Sequence, residues 1–143
     1  MLFKVLSVWL VMAAVGFLNG VARGALLTPV LGEPLARQVS SVTASVFVFT
    51  VAYAFAPAFR DVGRPVLFGV GIAWLALTIA FECTLGRLTG KAWGEMLEDY
   101  NLLHGRLWVL VLISVLLSPL VAAKLRGFVG GPAAGDVRPA HRL

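Results

Sequence analysis

The sequence predicts an all-α polytopic membrane protein, with four transmembrane helices in an antiparallel bundle and an interfacial amphipathic helix between the third and fourth. Three observations carry this expectation. Of 143 residues, 59% are hydrophobic and 13% are charged, whereas a soluble domain has roughly 25% charged residues. Mean hydropathy is +0.91. The apolar residues gather into four stretches, each near the roughly 20 residues needed to cross a hydrocarbon core of ~30 Å. Helix is the only sensible state for them, because an open strand in lipid leaves its backbone groups unpaired.

The spans are expected over residues 5–22, 39–59, 65–86 and 107–123. The first follows Lys4, and its apolar run is longer than the ~7–15 residues of a signal-peptide core, so it reads as a retained span. The second offers Thr43, Ser45, Thr50 and Tyr53 to a helix seam. The fourth contains Pro119, which frees the carbonyl of Val115 and bends the helix. Ser114 and Ser118 share a face there and can satisfy freed backbone groups. Trp9, Trp74 and Trp108 complete the span aromatics, with Trp108 where an interface belt belongs.

The connections differ in character. Residues 23–38 read as a loop, because Thr28-Pro29 and Gly32-Glu33-Pro34 are turn signals. Residues 60–64 form a tight turn that makes the second and third spans antiparallel neighbours. Residues 87–106 form the longest connection. The chain thus divides into a transmembrane domain, 1–126, and a Gly/Pro/Ala-rich cytoplasmic tail, 127–143, with little to bury.

Charge sets the expected orientation. Lys4, Arg60, Arg64, Lys124, Arg126, Arg138 and Arg142 lie on the side of the termini, and Arg23, Arg37, Arg87, Lys91 and Arg106 on the other. Glu33, Glu82, Glu95, Glu98 and Asp99 cancel that second set, so the whole net charge of +5 belongs to the terminal side. The Lys/Arg excess places both termini in the cytoplasm. Basic residues in so apolar a chain read as membrane-surface charge, not as a nucleic-acid site. Cys83 is the only cysteine, so an intrachain disulfide is excluded.

Glu82 is the most informative residue. An acid at the centre of a membrane helix costs ~2.5–3.5 kcal/mol on insertion scales, so it has a partner or a task. Thr78 is one turn earlier on the same face. Arg23, Arg37, Arg87 and Arg106 all lie at the same mouth, with Asn19 one turn before Arg23. The simple reading is a structural ion pair with a snorkelling arginine, and the functional one is an ion, proton or ligand site.

Gly16, Gly20 and Gly24 repeat at four-residue spacing, a small-xxx-small stripe that lets a second helix approach closely. That helix belongs either to the same bundle or to a partner. In the long connection, Trp93, Met96, Leu97 and Tyr100 recur at helical spacing opposite charged residues, the pattern of an interfacial helix with its aromatics at headgroup depth. It serves as a lid, a docking face or a gate. Glu95, Asp99 and His104 are weak metal candidates. Glu95 and Asp99 are one turn apart, but His104 is rotated off their face and no HExxH or Cys/His set accompanies them. No metal, cofactor or catalytic set is expected.

Two stretches carry a resemblance. Phe81-Glu82-Cys83-Thr84-Leu85-Gly86-Arg87 is one, and the other runs from Asp99-Tyr100-Asn101 through Gly105-Arg106-Leu107-Trp108 to Leu110. With Asn19-Gly20, Arg23 and the Leu31-Gly32-Glu33 turn, they resemble a group of small bacterial four-helix inner-membrane proteins over roughly residues 15–120. The resemblance implies a bacterial membrane setting and brings no activity with it.

Three function classes remain. The leading expectation is an accessory or assembly subunit that interacts with another membrane protein. The second is a small oligomeric transporter or channel using Glu82 and the nearby arginines. The third is a membrane enzyme or lipid-binding protein. The expected partners are the bilayer and either another membrane protein or further copies of the chain.

Overall fold

The computed structural model describes residues 1–98, 100, 101 and 106–129. Among them the chain is helical and holds four helices long and apolar enough to cross a membrane. In order these are α1 (Leu2–Ala22), a π-helical segment (Arg23–Leu27), α2 (Thr28–Leu31), α3 (Glu33–Phe55), a 3-10 turn (Ala56–Phe59), α4 (Arg64–Leu88), α5 (Trp93–Glu98) and α6 (Trp108–Leu125).

The expected first loop is not a loop. Helix continues from α1 through the π-segment and α2, and breaks at Gly32 alone. The reason lies in Pro29. Its ring clashes with the carbonyl four residues earlier in a regular α-helix. The wider turn just before it relieves this, with the Thr28 N–H bonding the Arg23 carbonyl five residues back. Gly32 then takes φ 77 and ψ 159, a conformation essentially reserved for glycine. Pro34 occupies the first turn of α3, where its missing N–H has no intrahelical role. Glu33 accepts from Thr28 Oγ1 at 3.1 Å and from Arg37 Nε at 2.7 Å, bracing the break.

The helices pack around a core at the end nearest the termini. Val5, Val8 and Met12 of α1 meet Val48 and Ala52 of α3, Leu67, Val70 and Trp74 of α4, and Val115, Ala122 and Ala123 of α6. Trp74 is a core residue, 1% exposed. Its Nε1 donates to the Val5 carbonyl at 2.8 Å, and its ring meets Phe59 edge-on at 6.1 Å. Two contacts fix the run of α1 against α3: Lys4 Nζ donates to the Ala58 carbonyl, and Asn19 Nδ2 donates to Ser40. The low-numbered end of α1 therefore meets the high-numbered end of that span.

The last helix ends on a glycine. Gly127 has φ 72, the Phe128 N–H bonds the Ala123 carbonyl at 2.9 Å, and the Gly127 N–H bonds the Lys124 carbonyl. This is a Schellman cap. It turns Phe128 and Val129 back against the core, so the first residues of the expected loose tail are packed. The rest of the tail, Gly130 onward, lies outside the described residues. Within α6, the carbonyl freed by Pro119 is recovered as expected: Ser118 Oγ donates to the Val115 carbonyl at 3.1 Å.

Candidate functional site

At the end away from the termini the helices part. The space between them is a cavity of about 520 Å³ lined by α1, α3, α4 and α6, with Met96 of α5 and Tyr100 beside its mouth. Its deep wall is apolar: Met12, Ala13, Val48, Val111 and Val115. Trp9 forms part of the floor, held by an Nε1 hydrogen bond to Thr78 Oγ1 at 3.2 Å and by an edge-on contact with Phe81. Higher up, Asn19 donates to both the carbonyl and the hydroxyl of Ser40, at 2.9 and 2.8 Å. This ties α1 to α3 beside the opening.

The mouth gathers most of the polar residues expected there. Glu82, Arg23, Arg37 and Arg106 all line the cavity, and Lys91 joins them. Each of the four cations is placed differently. Arg23 opens the π-segment. Arg37 is on the first turns of α3, paired with Glu33. Arg106 is paired with Glu98 at 3.6 Å. Lys91 is placed by the end of α4, where Gly90 takes φ 82. There the Lys91 N–H bonds the Gly86 carbonyl and the Gly90 N–H bonds that of Arg87, a second Schellman cap.

Other expectations are redistributed. Arg87 does not line the cavity. Its guanidinium lies 5.3 Å from the centre of the Trp93 ring and donates to the Lys91 carbonyl. Asn19 and Thr78 do line it, but their described hydrogen bonds go to Ser40 and Trp9. Trp108 lines the cavity as well. Among the described residues Gly16, Gly20 and Gly24 meet no second helix: a methyl group built on any of them has no neighbour there within 4 Å. Gly16 and Gly20 face the cavity instead. The close helix contact falls at Gly71, against the backbone of Leu116.

The helix expected in the long connection is shorter than its sequence pattern. α5 has six residues; Met96 is buried, whereas Trp93 and Leu97 are exposed. Met96 packs on Gly86, where an added methyl would lie 3.0 Å from its sulfur. Glu95 accepts from the Ala92 N–H at 3.1 Å, capping its own helix. The other weak metal candidates, Asp99 and His104, lie outside the described residues.

Sequence reasoning missed Lys91, Ser40 and Trp9 as members of the site. The Gly90-Lys91 pair carried a signal, since a glycine just past a helix commonly turns the chain back. No family model matches the chain, and no curated protein or solved structure is significantly similar to it.

Proposed function

We propose that this is a multi-pass protein of the bacterial inner membrane that holds a small ligand in the pocket between its helices, a binding or carrier role and not a catalytic one. The observation that carries this reading is the cavity of about 520 Å³, apolar in its depth, with Glu82, Arg23, Arg37, Lys91 and Arg106 along its lining. Small-molecule sites are concave spaces of ~300–1,000 Å³ with apolar walls and a few convergent polar groups. An ionisable residue in a membrane span is by default a site residue, which adds weight to Glu82.

The four spans form an antiparallel bundle in this reading. The Lys/Arg excess on the side of the termini puts those in the cytoplasm and turns the cavity mouth outward. α5 and Tyr100 lie over the mouth at headgroup depth, as a lid.

The test is native mass spectrometry of the protein extracted gently from its own membrane. The expected result is a small-molecule adduct on the wild type that is missing from Gly20→Leu, whose side chain projects into the cavity. A ligand-free wild type accompanied by a different protein in fixed stoichiometry overturns the reading. That outcome belongs to the second reading, an accessory subunit or homo-oligomer, which the open, exposed face at Gly24 favours.

A further inference from the structure

We infer that the chain holds an anionic phospholipid of the leaflet on the side of the termini, with the phosphate on Arg126 and an acyl chain in the groove between α3 and α6. This site lies at the opposite end from the cavity mouth, and it stands whether or not the cavity holds a ligand.

Arg126 directly follows α6, a span of 18 residues. At ~1.5 Å per residue such a helix nearly crosses a hydrocarbon core of ~30 Å, so Arg126 stands at headgroup depth. The cap at Gly127 fixes its backbone, with the Arg126 N–H bonding the Ala122 carbonyl at 3.0 Å. Its guanidinium carbon lies 4.2 Å from the centre of the Tyr53 ring. That stack occupies one face of the planar group and leaves the in-plane donors for another partner. Nε is buried and has no hydrogen-bond partner. Among the described residues no carboxylate lies within 4.0 Å of the guanidinium. The edge on offer is therefore that of Nη1 and Nη2, which matches two phosphate oxygens with parallel donors.

The surrounding charge selects the head. Lys4, Arg60, Arg64, Lys124 and Arg126 gather at this end. Among the described residues Asp61 is the one acid there, and it is paired with Arg60 at 3.6 Å. The sequence after Val129 adds Arg138 and Arg142 against Asp136. A zwitterionic head brings its own cation into this basic field, whereas an anionic head does not, and basic pockets between membrane helices take acidic lipid heads. The groove supplies room for the chain. Phe49, Thr50 and Tyr53 of α3 and Ala122 and Leu125 of α6 line a space of about 250 Å³. It adjoins the stack, because Tyr53 belongs to both. Thr50, Tyr53 and Leu125 are exposed, so the groove opens outward, toward lipid. The Thr50 hydroxyl already donates to the Val46 carbonyl at 2.8 Å, which leaves an apolar wall for a hydrocarbon chain. A free phosphate leaves this groove unused.

The experiment is native mass spectrometry of the full chain in a neutral detergent, following the first lipid bound. The probes are phosphatidylglycerol and phosphatidylcholine with matched acyl chains, and inorganic phosphate as a competitor. Phosphatidylglycerol is expected to bind about fivefold or more tighter than phosphatidylcholine, with no displacement by inorganic phosphate at the same concentration. Arg126→Gln should bring phosphatidylglycerol down to the phosphatidylcholine level. Tyr53→Phe keeps the ring and should bind like wild type, whereas Tyr53→Leu should weaken phosphatidylglycerol about threefold or more. Thr50→Trp fills the groove with every charge intact and should weaken both lipids. Arg64→Gln removes an exposed charge from the same end and should change the affinity by about twofold at most, since such a charge is screened by salt. Equal thermal midpoints in lipid-free detergent establish that the variants are folded.

Equal affinity of the wild type for the two lipids overturns the inference without any variant. Equal losses in Arg64→Gln and Arg126→Gln reduce the preference to a diffuse field and overturn the site. Displacement by inorganic phosphate overturns the acyl chain's part in binding. Phosphatidylglycerol binding that survives both Arg126→Gln and Thr50→Trp places the lipid elsewhere and overturns the inference. A dimer that Thr50→Trp splits makes a second copy the occupant of the groove. Lipid binding that emerges only in Asp136→Asn makes the chain's own residues 130–143 the occupant. Either result overturns the inference, and none of these outcomes bears on the cavity between the helices.

Discussion

Gly71 of α4 lies so close to Leu116 of α6 that a methyl group added at Gly71 would overlap the Leu116 backbone carbonyl. The obstacle is backbone within a helix, so no rotamer change relieves it. Gly71→Ala must push α4 and α6 apart, and overpacking of this kind costs ~1–3 kcal/mol. The expected outcome is a lower thermal unfolding midpoint in detergent. Gly86→Ala is the contrast, because its added methyl meets only the flexible end of Met96. A Gly71→Ala protein as stable as wild type would mean that α4 and α6 do not cross there.

Ser118 and Val115 make a second coupled pair. Pro119 has no N–H to give the Val115 carbonyl, and Ser118, 0% exposed, donates to it instead. Ser118→Ala leaves that buried carbonyl without this donor. The expected cost is about 1–2 kcal/mol, between the ~1–3 of a buried orphan group and the ~0.6 average of membrane hydrogen bonds. Pro119→Ala restores an N–H at the right place, so the double variant should recover part of the loss. A double-mutant cycle with no coupling would show that the two residues act independently.

The four spans were legible because their signal is one of length and composition, which needs no tertiary information. The proline-freed carbonyl was legible for the same local reason. The break between the first two spans was misplaced because Thr28-Pro29 is a turn signal only if the helix cannot widen ahead of it. A π-turn at Arg23–Leu27 does widen it. The glycine stripe was legible as a smooth face, but nothing in a stripe says what faces it. The contact at Gly71 depends on which helix crosses α4, which periodicity does not encode. The basic mouth was half legible: span order puts Arg23, Arg37, Arg106 and Glu82 at one end. The exchange of Arg87 for Lys91 follows from the cap at Gly90, a backbone event.

Gly32 is the one residue that separates α2 from α3, and its φ of 77 with ψ of 159 is strained for any side chain. Gly32→Ala is expected to cost ~1–3 kcal/mol. The neighbouring Glu33–Arg37 pair is half exposed, and such pairs contribute ~0.2–1 kcal/mol. Glu33→Gln should therefore lower the unfolding midpoint less than Gly32→Ala. The reverse order would assign the turn to the ion pair and not to the backbone.

Met96 is the only buried residue of α5, and it seats the helix on Gly86 beside the cavity mouth. Truncating a buried methionine to alanine costs ~2–5 kcal/mol when the whole fold depends on it. Here the loss falls on a six-residue helix at the edge, and elements with few buried contacts open without global unfolding. Met96→Ala is thus expected to speed amide exchange over residues 93–98 while α1, α3 and α4 keep their protection and the global midpoint moves little. Hydrogen–deuterium exchange with mass spectrometry reads both. Faster exchange spread evenly over α4 and α6 would make Met96 part of the core and remove α5 as a separately opening element.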